Sequence, residues 1–297
     1  MRGNPRASLI ITLAEEHPSL PRAFQTAAMQ NGDPERAELI VAAPERLLEN
    51  VKIWETALDM PITAVPTPDE ATVPAMRNAA AKHAQSPLLS FLHASHRLDR
   101  HYLDELLDAH DDVPEADFIY TDYVRMSQND NRGASGLMRL APFDEDAIRR
   151  TDILGPSVTV LKKTFERLEM FREDFIYSEW DLHVRAAQSG CAFLHIAYPL
   201  LSAVQRKVGF RERALDGRGK ALVVIANPAY FHGHTLRWAL SYLRGESWAE
   251  AWTFRTIPTA VEVSHMLNAH TINKVKRTDA AEEAVRAFTN NVIPFTA

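Results

Sequence analysis

Apolar and polar positions fall into alternating blocks of two kinds along this chain. Ser8–Leu13 (SLIITL), Glu38–Ala43 (ELIVAA) and Leu88–Leu92 (LLSFL) are short apolar runs with no polar face, which predicts buried parallel strands. Ile62–Val65, Phe118–Tyr123, Ser157–Leu161 and Phe193–Ala197 are strand-like as well. Between them lie segments with helical spacing. These are Arg22–Gln30, ended by Asn31-Gly32, then Thr72–His83, His101–Asp108, Lys163–Leu168 and Asp181–Gln188, closed by Gly190. Pro44 suits the opening of a helix through Leu48. The polar stretch Ser127–Ser135 predicts a turn or hairpin tip. This alternation predicts an α/β fold: a mixed, mostly parallel sheet flanked by helices.

The pattern changes near residue 210. His234–Leu243, Ala260–Asn268 and Ala280–Phe288 are helical patterns separated by Pro258 and polar linkers. We expect an α/β domain over 1–209 and a C-terminal helical extension over 210–297. Three of the five tryptophans, Trp238, Trp248 and Trp252, lie in that extension and read as its core. Its outer surface is the expected site for any protein partner.

Composition narrows the function classes. With 33 basic and 39 acidic residues the net charge is -6, and no basic stripe points to nucleic acid. The local basic pair Arg206-Lys207 fits a solvated or a phosphate-facing loop. No stretch has the length of a transmembrane helix. The single cysteine, Cys191, sits in an apolar run and reads as a buried structural thiol. Together these features lead us to expect a soluble, cytoplasmic protein.

Open α/β sheets bind ligands at the C-terminal ends of their strands. Four segments read as such ends: Thr12–Glu15, Ala42–Glu45, His93–His96 and Ser178–Asp181. The ordered set SLIITL, ELIVAAPE, Arg77-Asn78-Ala79-Ala80, LLSFLHASHRLDRHYLDEL and Tyr177-Ser178-Glu179-Trp180-Asp181-Leu182 resembles the inverting family 2 glycosyltransferases of GT-A fold, over roughly residues 7–205. The resemblance implies a nucleotide-sugar donor and one carboxylate that deprotonates the acceptor. Glu179 falls where that family places its base, with Asp181 as a second candidate or a cap of the following helix. Arg77, Asn78, His93, Ser95, His96 and Asp122 are the expected substrate-binding residues.

Four positions depart from the family pattern. Where relatives hold a divalent metal with Asp-x-Asp, this chain reads His93-Ala94-Ser95-His96. Ala43, Glu15 and Gln205 replace further ligand-binding residues. Imidazole suits zinc better than magnesium, so zinc at His93 and His96 is the alternative to an absence of metal. Two functions are expected. One is a metal-independent inverting glycosyltransferase, with Arg77, Arg97 or Arg206-Lys207 offsetting phosphate charge. The other is a catalytically inactive relative that binds or scaffolds a partner.

Overall fold

The computed structural model describes residues 5–30, 36–58, 62–126, 134–204 and 210–290. Two units are distinguished, Met1–Arg213 and Ala214–Ala297.

The first unit is built on one nine-stranded sheet. Its strands are β1 (Ala7–Thr12), β2 (Ala37–Pro44), β3 (Ile62–Thr67), β4 (Leu88–His93), β5 (Arg97–Leu98), β6 (Phe118–Met126), β7 (Ala134–Met138), β8 (Val158–Leu161) and β9 (Phe193–Val204). Their order is β3-β2-β1-β4-β8-β6-β9-β5, with β7 on β6. β1, β2, β3 and β4 pair in parallel, as do β6 and β9. β8 joins the two sets by antiparallel pairing to β4 and β6.

Burial on both faces explains the unbroken apolar runs. Every residue of β1 is buried. Leu9 and Ile11 enter one core layer, while Ile10 enters the other. Helices α1 (Leu20–Ala28), α2 (Glu45–Leu58) and α4 (Tyr102–Asp112) cover the first layer. Helices α3 (Val73–His83), α6 (Lys162–Arg167) and α7 (Ser178–Gln188) cover the second. α1 buries Leu20, Ala23, Phe24 and Ala27, the stripe that helical spacing predicts. Thr72 starts α3 by accepting the Ala75 N–H at 3.3 Å. A short helix, α5 (Glu145–Ile148), precedes β8.

Several expectations change. Ser178–Asp181 is not a strand end but the first turn of α7. Phe193–Ala197 is only the start of β9, which continues to Val204 and shifts register against β6 around Asp122. Residues 127–133 of the expected turn, and Gln205, Arg206 and Lys207, lie outside the described residues.

The second unit contains α9 (Gly233–Leu243), α10 (Ser247–Glu250), α11 (Ala260–Asn290) and most of α8 (Phe210–Ala226). α11 is one helix where the sequence reading placed two. Trp238 is fully buried, and its Nε1–H donates to the Ala249 carbonyl at 3.1 Å. Lys220 is also fully buried; its ammonium pairs with Asp216 at 2.6 Å and donates to the Phe254 carbonyl. Gly217 lies against the Tyr242 ring, since a Cβ there would fall 2.1 Å from the hydroxyl. Among the described residues no helix is long and apolar enough to cross a membrane.

Candidate active site

The parallel strands β1 and β4 deliver their C-terminal ends side by side, with Thr12 opposite His93. The chain then turns sharply, because the His96 N–H donates to the His93 carbonyl at 2.8 Å. This turn joins β4 to β5 and displays the two imidazoles. His96 Nδ1 accepts the His93 N–H at 3.1 Å. His93 Nδ1 accepts the Ser95 N–H at 3.1 Å and meets the Ser95 hydroxyl at 2.8 Å. His17, from the loop after β1, stands edge-on to His93 with ring centroids 5.5 Å apart. Its Nδ1 accepts the Ser19 N–H at 3.2 Å.

These bonds fix the tautomers. A ring nitrogen that accepts a main-chain N–H carries no proton, so the proton sits on Nε2 in all three rings. Burial pushes the His96 pKa down to about 3; His93 and Arg77 add to the shift, and Glu179 opposes it. His96 is therefore neutral at any ordinary pH.

Arg77, on α3, reaches Glu179 in the first turn of α7, with Nη1 to Oε1 at 2.6 Å. The guanidinium is buried, with its carbon 5.9 Å from the Phe91 ring centre and 5.5 Å from that of Phe171. The Glu179 side chain is half exposed. Desolvation pulls its pKa upward, but Arg77, His183 and His96 together outweigh that and leave it below the usual carboxylate range. Glu179 is thus an ionised carboxylate at the molecular surface, aimed by a buried cation.

Beneath it lies a narrow cavity of about 20 Å³, lined by Glu179, His183, Phe91, Phe118, Phe171 and Leu182 among others. That is room for roughly one water, not a sugar. His183 is one helical turn beyond Glu179, and its Nδ1 lies 3.1 Å from Asp152 Oδ1.

The remaining sequence candidates are held by the fold itself. Asp181 has no exposure, and its two oxygens meet Arg172 Nη1 at 2.6 Å and Arg185 Nε at 2.9 Å. Arg185 also donates to the Leu168 and Met170 carbonyls. Glu169 and Met170, between and at those carbonyls, are both left-handed, at φ 64 and 59. Asp181 therefore closes this loop onto α7 and has no access to an acceptor hydroxyl. Asn78 clamps the same loop, bonding to both the N–H and the carbonyl of Phe171 and to Glu173. Asp122 Oδ1 accepts the Leu140 N–H and meets His195 Nε2, each at 2.8 Å. It pins β9 to β6 where their register shifts. Ala43 is buried inside β2, and Glu15 is exposed in the loop after β1.

Solved structures of similar fold include complexes with sugar nucleotides. Mannosyltransferase PcManGT from Pyrobaculum calidifontis, in complex with GDP-Man and Mn2+, superposes with TM-score 0.57 at 18% identity over 97% of this chain and 84% of that one. S. aureus TarS 1–349 in complex with UDP-GlcNAc gives TM-score 0.56 at 13% identity over 82% and 73%. A second S. aureus TarS 1–349 structure gives the same score at 14% identity over 74% of this chain, which spans 65% of that structure's length. The fold is GT-A-like. No protein-family model matches the chain, and no curated protein matches it in sequence.

Within this GT-A-like frame the histidine turn fits a metal ion poorly. A metal-bound imidazole gives one nitrogen lone pair to the ion and donates its other N–H to an acceptor. Here the polarity is reversed: the Nδ1 lone pairs are taken by main-chain N–H groups. Among the described residues no group of three or more His, Cys, Asp or Glu is gathered to hold a metal. His101 Nε2 accepts from Arg100 instead. Cys191 is buried; desolvation pushes its thiol pKa up, and Arg167 donates to its sulfur at 3.3 Å. His17 belongs to no motif, and His183 fills an unspecified position of the stretch that begins at Tyr177, so neither stood out in the sequence.

Proposed function

We propose that this chain is a divergent family 2 glycosyltransferase that moves a sugar from a nucleotide-sugar donor by a metal-independent inverting displacement. The observation that carries this reading is the Arg77–Glu179 pair: an exposed, ionised carboxylate held by a buried guanidinium beside the histidine turn. Glu179 takes the proton of the acceptor hydroxyl. The acceptor oxygen attacks the anomeric carbon from the face opposite the diphosphate. The bond from that carbon to the phosphate oxygen breaks, and the nucleoside diphosphate leaves with the electron pair. The ligands named for the TarS and PcManGT structures support the donor class. The single cysteine supports a reducing, cytoplasmic setting.

Thermal stabilisation by UDP, GDP and their sugars, with and without Mn²⁺ or Zn²⁺, tests the reading. The expected result is a shift that needs no metal. Glu179→Gln should keep that shift while turnover falls roughly 10²- to 10⁴-fold. No shift with any nucleotide would overturn it.

A second reading has its own support. Asn78, Asp122 and Asp181 spend their polar atoms on the fold, and the cavity under Glu179 is small. These features suit an inactive GT-A-like scaffold whose partner docks on 210–297. Co-purification of one partner, lost on deleting that region, would favour it.

A further inference from the structure

His17, His93 and His96 come from two separate loops, yet they form a chain of rings with centroid spacings of 5.5 and 5.8 Å. Each has its Nδ1 lone pair engaged by a main-chain N–H. For His17 and His96 the opposite nitrogen, Nε2, has no polar partner among the described residues and is not a buried atom, so it reaches solvent. These outward nitrogens are donors. A donor cluster selects ligands that only accept, and phosphate oxygens are the strongest such acceptors.

We propose that His17 and His96, aligned through His93, are a cation-free hydrogen-bond-donor site for the phosphate oxygens of the bound ligand. This rests on the reading of the cleft as a nucleotide-sugar site and adds to it the residues that hold the diphosphate. A ring that accepts at Nδ1 and donates at Nε2 is uncharged and needs no counter-charge when the site is empty. The nearby guanidinium of Arg77 is already matched by Glu179. The same tautomers exclude coordination of zinc through Nε2 unless the main-chain bonds to Nδ1 are broken.

The test is calorimetric titration of UDP, GDP and inorganic pyrophosphate in EDTA, using wild type, His17→Ala/His96→Ala and His96→Gln. Gln places an amide N–H near the position of Nε2. A hydrogen bond to a charged group justifies expecting roughly tenfold loss or more for the double variant. His96→Gln should recover part of that loss. Circular dichroism and melting curves establish that each variant is folded. Nucleotide binding that disappears in EDTA and returns with Mn²⁺ would overturn the inference. So would equal affinity in wild type and the double variant, and that result would leave the nucleotide-sugar reading intact. Histidine-dependent binding of pyrophosphate, without binding of either nucleotide, would support the donor site and sink that reading instead. Absence of binding by all three probes would overturn both.

Discussion

Arg77 donates to Glu179 across 2.6 Å while its guanidinium packs against both Phe91 and Phe171. The cation is buried and the carboxylate is half exposed, so the two partners depend on the pair differently. Arg77→Met keeps the apolar bulk and removes the charge. We expect the Glu179 pKa to rise, since desolvation then acts with less opposition. The native carboxyl has a depressed pKa, so its contribution to stability is present above its unfolded value of 4.5 and is lost as pH falls through the lower native value. In Arg77→Met that acid-side loss should shrink, and the acid limb of any activity profile should move to higher pH. Loss of this part-buried, charge-assisted hydrogen bond should cost about 1–2 kcal/mol in urea denaturation.

His96 predicts a separate pH dependence. Its pKa falls from 6.5 unfolded to about 3 folded, so the unfolded chain binds the proton first. Stability is therefore greatest above pH 6.5 and declines toward pH 3, by at most about 1.4 kcal/mol per pH unit. Melting temperatures measured from pH 7.5 to 4.5 should show a shallower decline for His96→Gln. Identical slopes would contradict the depressed pKa of this ring.

Asp181 and Glu179 should separate cleanly. Asp181→Asn breaks a fully buried double ion pair, and we expect about 3–5 kcal/mol of destabilisation or insoluble protein. Glu179→Gln keeps an acceptor for Arg77 and should lose less. Urea midpoints for the two variants decide the matter. Equal midpoints would show that Asp181 is not the structural member of the pair.

In the second unit, Gly217→Ala places a Cβ within 2.1 Å of the Tyr242 hydroxyl. Tyr242 must swing away, at roughly 1–2 kcal/mol. Adding Tyr242→Ala removes the clash, so the double variant should be less destabilised than the sum of the two single losses.

The parallel core was readable because burial on both faces leaves strands such as β1 with no exposed position and hence no alternating polar face. β9 was cut short because Tyr198 and Pro199 interrupt its apolar run, and the continuation depends on the shifted pairing with β6. α11 was split because its middle is polar, although no glycine or proline breaks residues 260–290. Local pattern also placed Glu179 and Asp181 close together. It could not separate their roles, because Arg77 is distant in sequence and the partners of Asp181 lie on both sides of it. The histidine turn was visible as an oddity. Its donor polarity follows from main-chain bonds that no spacing encodes, and His17 joins only through the neighbouring ends of β1 and β4.

The left-handed pair Glu169 and Met170 bears on how this region assembles. The loop turns the Leu168 and Met170 carbonyls onto Arg185, a residue of α7, and Asn78 of α3 holds the adjoining Phe171 backbone. The loop is thus held from both sides, by α7 through Arg185 and by α3 through Asn78. Loop closure and the docking of α7 therefore form one cooperative unit. The amides of 168–172 and 178–188 should accordingly exchange with deuterium as a single cooperative block.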